Sequence, residues 1–518
     1  MCGIVGYIGK EQAAPILLEG LARLEYRGYD SAGICVAENG VLDVAKCKGR
    51  LKNLAAMTEN GALLHGTAGI GHTRWATHGE PNDINSHPHV SQNGKVALVH
   101  NGIIENYLEI REFLEEKGVQ FTSQTDSEVV AQLLEYCLGL DEVHCMQDAI
   151  YMVLHRIEGA YAFGIVCADD PERIYAARKD APLLLGYGDG CNFIASDVTA
   201  LVKYTRDVSY MEDGEVAVLT RDSIEVFNAM ELPIEKEHYH IDWEISAAEK
   251  GGYPHFMLKE IMEQPEALRR AITPRVKDGR IDFGDLILSR QTIESFNRIM
   301  IVACGSSYHV GMLGKYTIEK LTRIPVEAVL ASEFRYCDPI VDDRTLVIVI
   351  SQSGETLDTM AALREAKARG ARVLSIVNVV GSSIARESDD VLYTWAGPEI
   401  AVATTKAYST QLAVIDMLAI YMADALGKLS AQEYARLVQE LLRLPEKIET
   451  VLQSREKIQF FASKYFNASD MYFIGRNVDY AASLEASLKP AIVPAMERSP
   501  ASFNFSSTQS WAASSSSL

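Results

Sequence analysis

The apolar pattern of this chain changes character near residue 255, and that change restricts the folds open to it. Before this point, short apolar runs such as KVALVHNG, YAFGIVCAD and EVAVLT predict strands, and NYLEIREFLEEKG and DSEVVAQLLEYCL predict helices. After it, near-continuous apolar runs such as TLVIVISQSGET alternate with helical patterns. The first pattern is typical of an α+β layered domain with mainly antiparallel sheets. The second is typical of a doubly wound parallel α/β sheet.

The length of 518 residues also argues for several domains, because single hydrophobic cores rarely grow that large. Near the end, MYFIGRNVD repeats the strand, glycine, polar loop and helix pattern of IMIVACGSS, which indicates a second, incomplete copy of the parallel unit. Pro490 is expected to end the helix of that copy. We predict a first domain over 2–225, a linker over 226–255, a second domain over 256–430, a helical connection with the start of a third domain over 431–489, and a divergent, disordered tail over 490–518.

Composition excludes several classes of function. The net charge of −21 argues against a general nucleic-acid binder. No apolar stretch of about 20 residues predicts a membrane span, and the N-terminus lacks a signal-peptide pattern, so we expect a cytoplasmic protein. The nine cysteines contain no CxxC pair, which favours buried free thiols. His238 and His240 are two residues apart, but a polar linker explains them better than a metal pair, and no metal site is predicted.

The start of the chain, MCGIVGYIG, carries a thiol that removal of the initiator Met would leave as the first residue. A thiol needs a base to become a good nucleophile. An α-amine, with an ordinary pKa of about 7.7–8.0, is such a base near neutral pH. Cys2 could therefore attack a carbonyl carbon while its own amine relays the proton. If Cys2 is considered alone, the favoured interpretation is an inert thiol at the N-terminus.

Three further stretches help to decide whether Cys2 is a nucleophile or an inert thiol. In GHTRWATHG, the planar guanidinium of Arg74 suits a carboxylate. In HNGIIEN, the side-chain amide of Asn101 and a backbone N–H at Gly102 make a plausible oxyanion hole. In TDSE, Asp126 could bind an ammonium group. Each also has a plain structural alternative: a surface ion pair for Arg74, a turn for Asn101 and a helix N-cap for Asp126.

These motifs, together with LEYRGYDSAGI, SHPH and GAYAF in this order, resemble the class II glutamine amidotransferase domain. The resemblance implies an N-terminal-nucleophile (Ntn) hydrolase with a four-layer αββα fold that hydrolyses glutamine. It implies that Cys2 forms a γ-glutamyl thioester and that Asn101 and Gly102 hold the oxyanion. It further implies glutamine binding by Arg74, Thr77, His78 and Asp126, and an ammonia gate at Trp75.

Two loops in the second region carry hydroxyl groups where an apolar strand passes into a helix. VACGSSYH contains the first loop and VISQSGETLDT the second. Helix N-termini with exposed N–H groups bind phosphate well, although simple N-capping by Ser and Thr is the alternative. Two such loops at the carboxyl ends of parallel strands fit a sugar-phosphate site. Neither loop is a Walker motif, so a nucleoside triphosphate is not implied.

With EIAVATTKAYSTQ, these loops resemble the sugar isomerase (SIS) domain. An SIS domain joined to a class II glutaminase resembles the glutamine–fructose-6-phosphate aminotransferase (isomerizing) family, and the resemblance covers residues 2–489. It implies transfer of glutamine nitrogen to fructose 6-phosphate, giving glucosamine 6-phosphate and glutamate for amino-sugar biosynthesis. It also implies a homodimer and no organic cofactor. The residues it places around the sugar phosphate are Ser306, Ser307, Ser351, Gln352, Ser353, Thr356, Val402 and Lys489.

The resemblance ends after Lys489. The family continues with a glutamate base, a ring-opening histidine and a C-terminal imine-forming lysine, and Ile492 stands where the glutamate is expected. We therefore expect an incomplete second SIS domain, followed either by a frameshifted sequence or by a genuine tail. Two alternatives follow: a glutaminase that releases free ammonia, and a regulator that binds sugar phosphate through its SIS domain.

Overall fold

A computed structural model describes residues 2–497 except 26–27, 76–77, 242–250, 285, 287, 466 and 469, with side chains described as far as residue 489. The chain forms two compact units: the first contains the residues up to His238 and the described residues from Ala491 onward, and the second spans Tyr239–Pro490. That boundary falls within the stretch 226–255, and the predicted domain limits remain predictions. Among the described residues, no helix combines the length and the apolar character needed to cross a membrane.

The described residues of the first unit form two antiparallel sheets, five α-helices and a short 3-10 helix at Val198–Ala200. Its strands are β1 (Gly3–Ile8), β2 (Ser31–Glu38), β3 (Val41–Lys48), β4 (Ala68–Arg74), β5 (His89–Val90), β6 (Val96–Ile104), β7 (Gly159–Cys167), β8 (Asp170–Lys179), β9 (Leu184–Tyr187), β10 (Asn192–Ala195), β11 (Asp207–Tyr210), β12 (Glu215–Leu219), β13 (Ile224–Phe227) and β14 (Pro233–Ile234). Its helices are α1 (Ala13–Leu24), α2 (Leu51–Met57), α3 (Tyr107–Glu116), α4 (Asp126–Leu138) and α5 (Met146–Leu154). Within this unit the sheets run β11-β9-β10-β1-β4-β2-β3 and β14-β13-β12-β8-β7-β6-β5.

The two sheets pack face to face, and helices cover their outer faces. Alternate residues of β6 show the layering, because successive side chains of a strand point to opposite faces. Ala97 and Val99 join the core between the sheets, whereas Val96 and Leu98 join the core beneath α3, α4 and α5. Helix α1 lies against β1 and β4 on the other outer face. The αββα fold expected for an Ntn hydrolase is confirmed.

The second unit contains a five-stranded parallel sheet with the order β19-β18-β20-β21-β22. The strands from the unit boundary onward are β15 (Tyr239–His240), β16 (Val276–Lys277), β17 (Arg280–Ile281), β18 (Arg298–Ala303), β19 (Val326–Leu330), β20 (Thr345–Ser351), β21 (Arg372–Val377) and β22 (Asp390–Tyr393). The helices are α6 (Phe256–Met262), α7 (Gln264–Ile272), α8 (Arg290–Ser295), α9 (Gly305–Thr322), α10 (Ala331–Tyr336), α11 (Leu357–Ala368), α12 (Ser383–Glu387), α13 (Lys406–Ala425), α14 (Ala431–Leu442), α15 (Leu444–Leu452), α16 (Arg455–Tyr465) and α17 (Val478–Glu497).

Both faces of this sheet are buried, which explains the near-continuous apolar runs of its strands. In β20, Ile348 packs into the core with α9 and α13, whereas Val347 and Val349 pack into the core with α10 and α11. The doubly wound parallel architecture is confirmed. The chain runs from β18 outward to β19 and then returns to β20 on the other side. Ligands of such sheets bind where the strand order reverses, so the loops after β18 and β20 occupy the favoured position.

Two expectations for the end of the chain are wrong. Residues 471–475 form no strand, and no described strand pairs with them. An unpaired strand leaves its backbone groups without partners, and the segment here is open to solvent, with Ile474 90% exposed. Helix α17 does not end at Pro490 but continues to Glu497. An interior proline disfavours a helix, yet this helix contains two, Pro490 and Pro494. Residues 498–518 of the predicted tail lie outside the described residues.

Candidate active site

Cys2 lies immediately before β1, which is an interior strand of the first sheet, between β10 and β4. The Cys2 side chain is half-buried, and its Sγ accepts a hydrogen bond of 3.2 Å from the backbone N–H of Trp75. Burial raises the pKa of the Cys2 thiol, although the Trp75 hydrogen bond opposes that shift. The thiol therefore stays mostly protonated at neutral pH, and nucleophilic chemistry here needs a base.

Asn101 and Gly102 reach this position from β6 in the second sheet. The Nδ2 group of Asn101 donates a 3.2 Å hydrogen bond to the carbonyl oxygen of Cys2. Gly102 has φ +133°, and a Cβ added there would lie 2.0 Å from the carbonyl oxygen of Ala160. Only glycine fits this backbone path. The structure brings the Asn101 amide to Cys2, and the role of both residues in holding an oxyanion remains a prediction.

Arg74 is buried at the end of β4, next to Trp75. Its Nη2 donates to the carbonyl oxygen of His78 and, at 3.3 Å, to that of Gly79. Its Nη1 is buried with no hydrogen-bond partner among the described residues. Burial lowers the pKa of Arg74, and the nearby Asp30 opposes the shift. A buried guanidinium N–H without a protein partner is suited to a carboxylate ligand.

Asp126 opens α4 as a buried carboxylate. One oxygen, Oδ2, accepts a 2.9 Å hydrogen bond from the backbone N–H of Ile104, and the other lies 3.9 Å from Nδ1 of His78. The N-cap of α4 is Thr125, whose side chain accepts from the backbone N–H of Glu128. The alternative that Asp126 is itself the N-cap is therefore wrong. A buried carboxylate with one oxygen engaged by a single backbone N–H retains capacity to accept from an ammonium group.

The remaining predicted residues of this unit are Thr77 and Trp75. Thr77 lies outside the described residues. The indole ring of Trp75 is 44% exposed and meets the ring of Tyr29 edge-on, with centroids 5.3 Å apart. An ammonia gate at Trp75 remains a prediction.

Sequence reasoning missed a cluster of buried histidines behind Asn101. Burial lowers the pKa of every member, to about 3 for His72, so all four rings are neutral at physiological pH. The members of this histidine cluster are His72, His87, His89 and His100. Neighbouring rings touch, with centroid distances of 4.2 Å for His72–His87 and 4.6 Å for His87–His89. The sequence does contain a signal for this cluster, because all four histidines lie within 29 residues, inside the motifs GHTRW, SHPH and HNG.

In the second unit, the first serine loop leads directly into α9. The hydroxyl of Ser307 is buried and donates a 3.1 Å hydrogen bond to Oε1 of Gln411 on α13. The hydroxyl of Ser306 accepts a 3.1 Å hydrogen bond from Nζ of Lys489, which also donates to the carbonyl oxygen of Thr404. Lys489 therefore ties α17 to the start of α9 and to the loop that carries Val402, which is 38% exposed.

The second serine loop is a tight turn between β20 and α11. The Ser351 hydroxyl lies 3.0 Å from Oγ1 of Thr356 and accepts a 3.0 Å hydrogen bond from the backbone N–H of Gly354. At Gly354, φ is +67° and an added Cβ would lie 1.9 Å from Oγ of Ser382. The Ser353 hydroxyl accepts a hydrogen bond from the backbone N–H of Glu355. Four of the eight predicted sugar-phosphate residues thus belong to one compact loop.

Gln352 and Cys304 make further contacts at the two serine loops. The carbonyl oxygen of Gln352 accepts a 3.3 Å hydrogen bond from the backbone N–H of Asn378 after β21. The hydroxyl of Thr359 on α11 lies 3.8 Å from Sγ of Cys304, which precedes α9. The two serine loops are therefore brought together at the point where the strand order reverses. Whether they bind a sugar phosphate remains a prediction.

A second feature missed from sequence is the pairing of His309 with Glu485. Nδ1 of His309 lies 2.7 Å from Oε2 of Glu485, whose other oxygen forms an ion pair with Lys489. Their spacing along the sequence, in GSSYH and SLEASLK, gives no sign of the contact. A metal site is not found here or elsewhere in the described part of the chain, where no three His, Cys, Asp or Glu side chains converge suitably.

Comparison with known proteins agrees with the geometry of both units. Residues 72–203 match the family model described as a glutamine amidotransferase domain, and residues 292–421 match that of the SIS domain. The chain is 54% identical over 490 residues to glutamine–fructose-6-phosphate aminotransferase [isomerizing] of Caldanaerobacter subterraneus subsp. tengcongensis, covering 94% of this chain and 80% of that protein. This chain belongs to the glutamine–fructose-6-phosphate aminotransferase (isomerizing) family.

Other members of the family are similar to the same extent. The protein of that name from Clostridium tetani is 53% identical over 490 residues, with the same coverage of both chains. Among solved structures, the C-terminal domain of glucosamine-fructose-6-phosphate aminotransferase from Francisella tularensis is 38% identical, with a TM-score of 0.45. That alignment covers 46% of this chain and 68% of the solved one.

Proposed function

We propose that this chain transfers the amide nitrogen of glutamine to fructose 6-phosphate, giving glucosamine 6-phosphate and glutamate. The observation that carries the proposal is the arrangement at the start of β1. There the Cys2 thiol accepts from the Trp75 N–H, and the Asn101 amide donates to the Cys2 carbonyl. Membership of the aminotransferase family supports the choice of fructose 6-phosphate as acceptor.

The glutaminase half begins once Met1 is removed and the α-amine of Cys2 is free to take the thiol proton. Sγ then attacks the γ-amide carbon of glutamine, and the amide oxygen becomes an oxyanion. The Asn101 Nδ2 group and the Gly102 backbone N–H stabilise that oxyanion. The carbon–nitrogen bond breaks as the amine returns its proton to nitrogen, so that ammonia leaves and a thioester remains. Water hydrolyses the thioester to glutamate and restores the thiol.

Substrate recognition follows from two buried charged side chains, Arg74 and Asp126. The free Nη1 group of Arg74, unpartnered among the described residues, binds the α-carboxylate of glutamine. Asp126 receives the α-ammonium group through the oxygen that faces His78. Recognition of both ends of an amino acid excludes simple amides, which lack the charges these two side chains need.

The sugar half uses the two serine loops. The hydroxyl and N–H groups at the starts of α9 and α11 bind the phosphate, and Lys489 lies beside Ser306 at the same edge. Ammonia condenses with the C2 carbonyl of the sugar and expels water, giving an imine. A proton then moves from C1 to C2 and the C1 hydroxyl proton passes to nitrogen, which leaves an aldehyde at C1 and an amine at C2. The water released balances the water consumed by thioester hydrolysis. The described residues of the second unit are assigned to binding, and none is assigned to that proton transfer.

We also propose that the chain acts in the cytoplasm as a homodimer, as the family resemblance implies. Sedimentation velocity of the purified protein tests the dimer, and a protein that stays monomeric at micromolar concentration would exclude it.

The decisive experiment supplies the protein with amide-¹⁵N glutamine and fructose 6-phosphate, and quantifies glutamate and ¹⁵N-glucosamine 6-phosphate together. Equal amounts of both products support the proposal. Glutamate without amino sugar overturns the synthase assignment and leaves a glutaminase, the alternative suggested by Ile492. A Cys2→Ala variant serves as control, because it must lose both products from glutamine.

A further inference from the structure

We infer that His72 is a positioning residue that fixes which way the side-chain amide of Asn101 points in the glutaminase site. The inference rests on the proposed glutaminase function and adds a residue to it. His72 lies on β4 of one sheet and Asn101 on β6 of the other, so the contact between them crosses the interior of the unit.

The geometry determines the proton position on His72. Its Nε2 lies 3.1 Å from the carbonyl oxygen of His100 and 2.9 Å from the side-chain amide of Asn101. A carbonyl oxygen can only accept, so Nε2 must carry the proton. A protonated ring nitrogen cannot accept, so the amide atom that faces it must be the oxygen, Oδ1. The NH₂ group of Asn101 is thereby turned toward Cys2.

The surroundings of His72 hold this single protonation state. The ring is fully buried and lies against that of His87 at an interplanar angle of 33°, with centroids 4.2 Å apart. Its Nδ1 has no hydrogen-bond partner in the described part of the chain. A second proton would place an unpaired N–H and a charge in this interior, which is costly. The lowered pKa of His72 agrees with a neutral ring.

The orientation matters because the two ends of an amide have opposite polarity. With NH₂ toward Cys2, the amide donates to the oxyanion that forms during attack. With the amide reversed, its oxygen would face that oxyanion and repel it. Loss of one oxyanion-hole donor typically lowers kcat by about 10²–10³. An amide free to adopt both orientations loses part of that effect, so we expect about a 10- to 100-fold decrease. The ground-state complex carries no such charge, so KM should change little.

The test compares His72→Phe, which keeps a ring against His87 but lacks the donor, with His72→Gln, whose amide nitrogen can occupy the place of Nε2. His87→Phe is the matched control, because it alters the same ring contact but leaves the hydrogen bond between His72 and Asn101 in place. For each variant we would measure kcat and KM for glutamine, the thermal midpoint, and the affinities for glutamate γ-semialdehyde and glutamate. The thiol adds to the aldehyde carbon, forming a carbon–sulfur bond and an oxygen in the oxyanion position, whereas glutamate binds without reaction.

We expect His72→Phe to lower kcat about 10- to 100-fold and to weaken aldehyde binding by a similar factor. KM and glutamate binding should stay within about threefold, His72→Gln should recover most of kcat, and His87→Phe should retain kcat. An unchanged kcat in His72→Phe overturns the inference, as does an equal loss in His87→Phe or a parallel loss of glutamate binding. If His72→Phe fails to fold, His72→Leu takes its place. A wild-type protein without glutaminase activity instead overturns the proposed function.

Discussion

Nδ1 of His309 lies 2.7 Å from Oε2 of Glu485, joining the second turn of α9 to α17. Glu485 is buried, and burial raises the pKa of its carboxyl group. Hydrogen bonds from His309 and Lys489 outweigh that effect and bring the pKa below its ordinary value of 4.5. Glu485 is therefore ionised at neutral pH and holds Lys489 beside Ser306.

Glu485→Gln should destabilise the second unit by about 2 kcal/mol at pH 7, because the charged hydrogen bonds become neutral ones. A lowered folded-state pKa means that this stabilisation is present above pH 4.5 and is lost as the pH falls further. The difference between wild type and variant should thus be constant from pH 6 to 8 and shrink toward pH 4. Urea unfolding at several pH values measures it. Glu446→Gln, at an exposed site on α15, should change nothing, and a difference independent of pH would contradict the assignment.

The histidine cluster should make the first unit sensitive to mild acid. Unfolded histidine has a pKa of about 6.5, whereas burial lowers the pKa of all four folded rings. Below pH 6.5 the unfolded chain therefore binds more protons than the folded one, and stability falls with pH. Each ring contributes up to about 1.4 kcal/mol per pH unit. Thermal unfolding between pH 8 and 5 should show His87→Phe with a shallower slope and exposed His65→Asn with the wild-type slope. Equal slopes in all three proteins would refute this account.

Gly102→Ala should abolish glutaminase activity and destabilise the first unit by about 3 kcal/mol, because its Cβ would lie 2.0 Å from a backbone oxygen. Gly94→Ala is the matched control: Gly94 also has positive φ, +74°, but nothing lies within 4 Å of its added Cβ. The control should cost about 1 kcal/mol and keep full activity. Glutamate release and thermal unfolding measure both effects. Comparable losses of stability and activity in the two variants would show that the positive φ, rather than the contact of the added Cβ with a backbone oxygen, causes the effect.

Lys46 should hold the segment that carries His87. Its Nζ donates to the carbonyl oxygens of Ile84, Ser86 and Pro88, at 3.2, 2.9 and 3.2 Å. Lys46→Met removes these donors, and we expect a loss of about 1–3 kcal/mol in unfolding free energy. The exposed Lys48→Met, two residues along the same strand, should cost less than about 0.5 kcal/mol. Hydrogen exchange of residues 84–90 provides a local readout, and unchanged protection there in Lys46→Met would contradict the role.

Much of the fold could be predicted from the sequence because the patterns are local. Strand and helix periodicity predicted β6, β7 and β12 in one unit and β18 and β20 in the other, and burial on one or both faces distinguished the two sheet types. Local pattern failed where the outcome depended on partners. Residues 471–475 have the composition of a buried strand, but no described strand lies beside them. Helix α17 likewise continues past Pro490, although an interior proline favours a helix end.

In the candidate site, too, some features could be predicted from the sequence and others could not. Cys2, Arg74 and Asn101 stand in distinctive motifs, so their residue types suggested chemistry directly. The contact of His72 with Asn101 could not be predicted, because it joins strands of different sheets. Ser307 also stands in a distinctive motif, but the hydrogen bond of its hydroxyl with Gln411 could not be predicted, and its role in phosphate binding remains a prediction. Which hydroxyls face outward depends on helix packing that no short motif encodes.

The strand order of the parallel sheet determines which positions of the second unit can be mutated without disturbing strand pairing. Both serine loops leave the sheet at the carboxyl ends of the neighbouring strands β18 and β20, and apart from Ser351, which pairs with Val377 of β21, neither loop belongs to a strand. Exchanges at loop positions other than Ser351 and Gly354 can therefore change the surface where the two loops meet while the registers of all five strands stay intact. We therefore expect exchanges at the proposed sugar-phosphate site to change acceptor preference with little effect on the stability of the sheet.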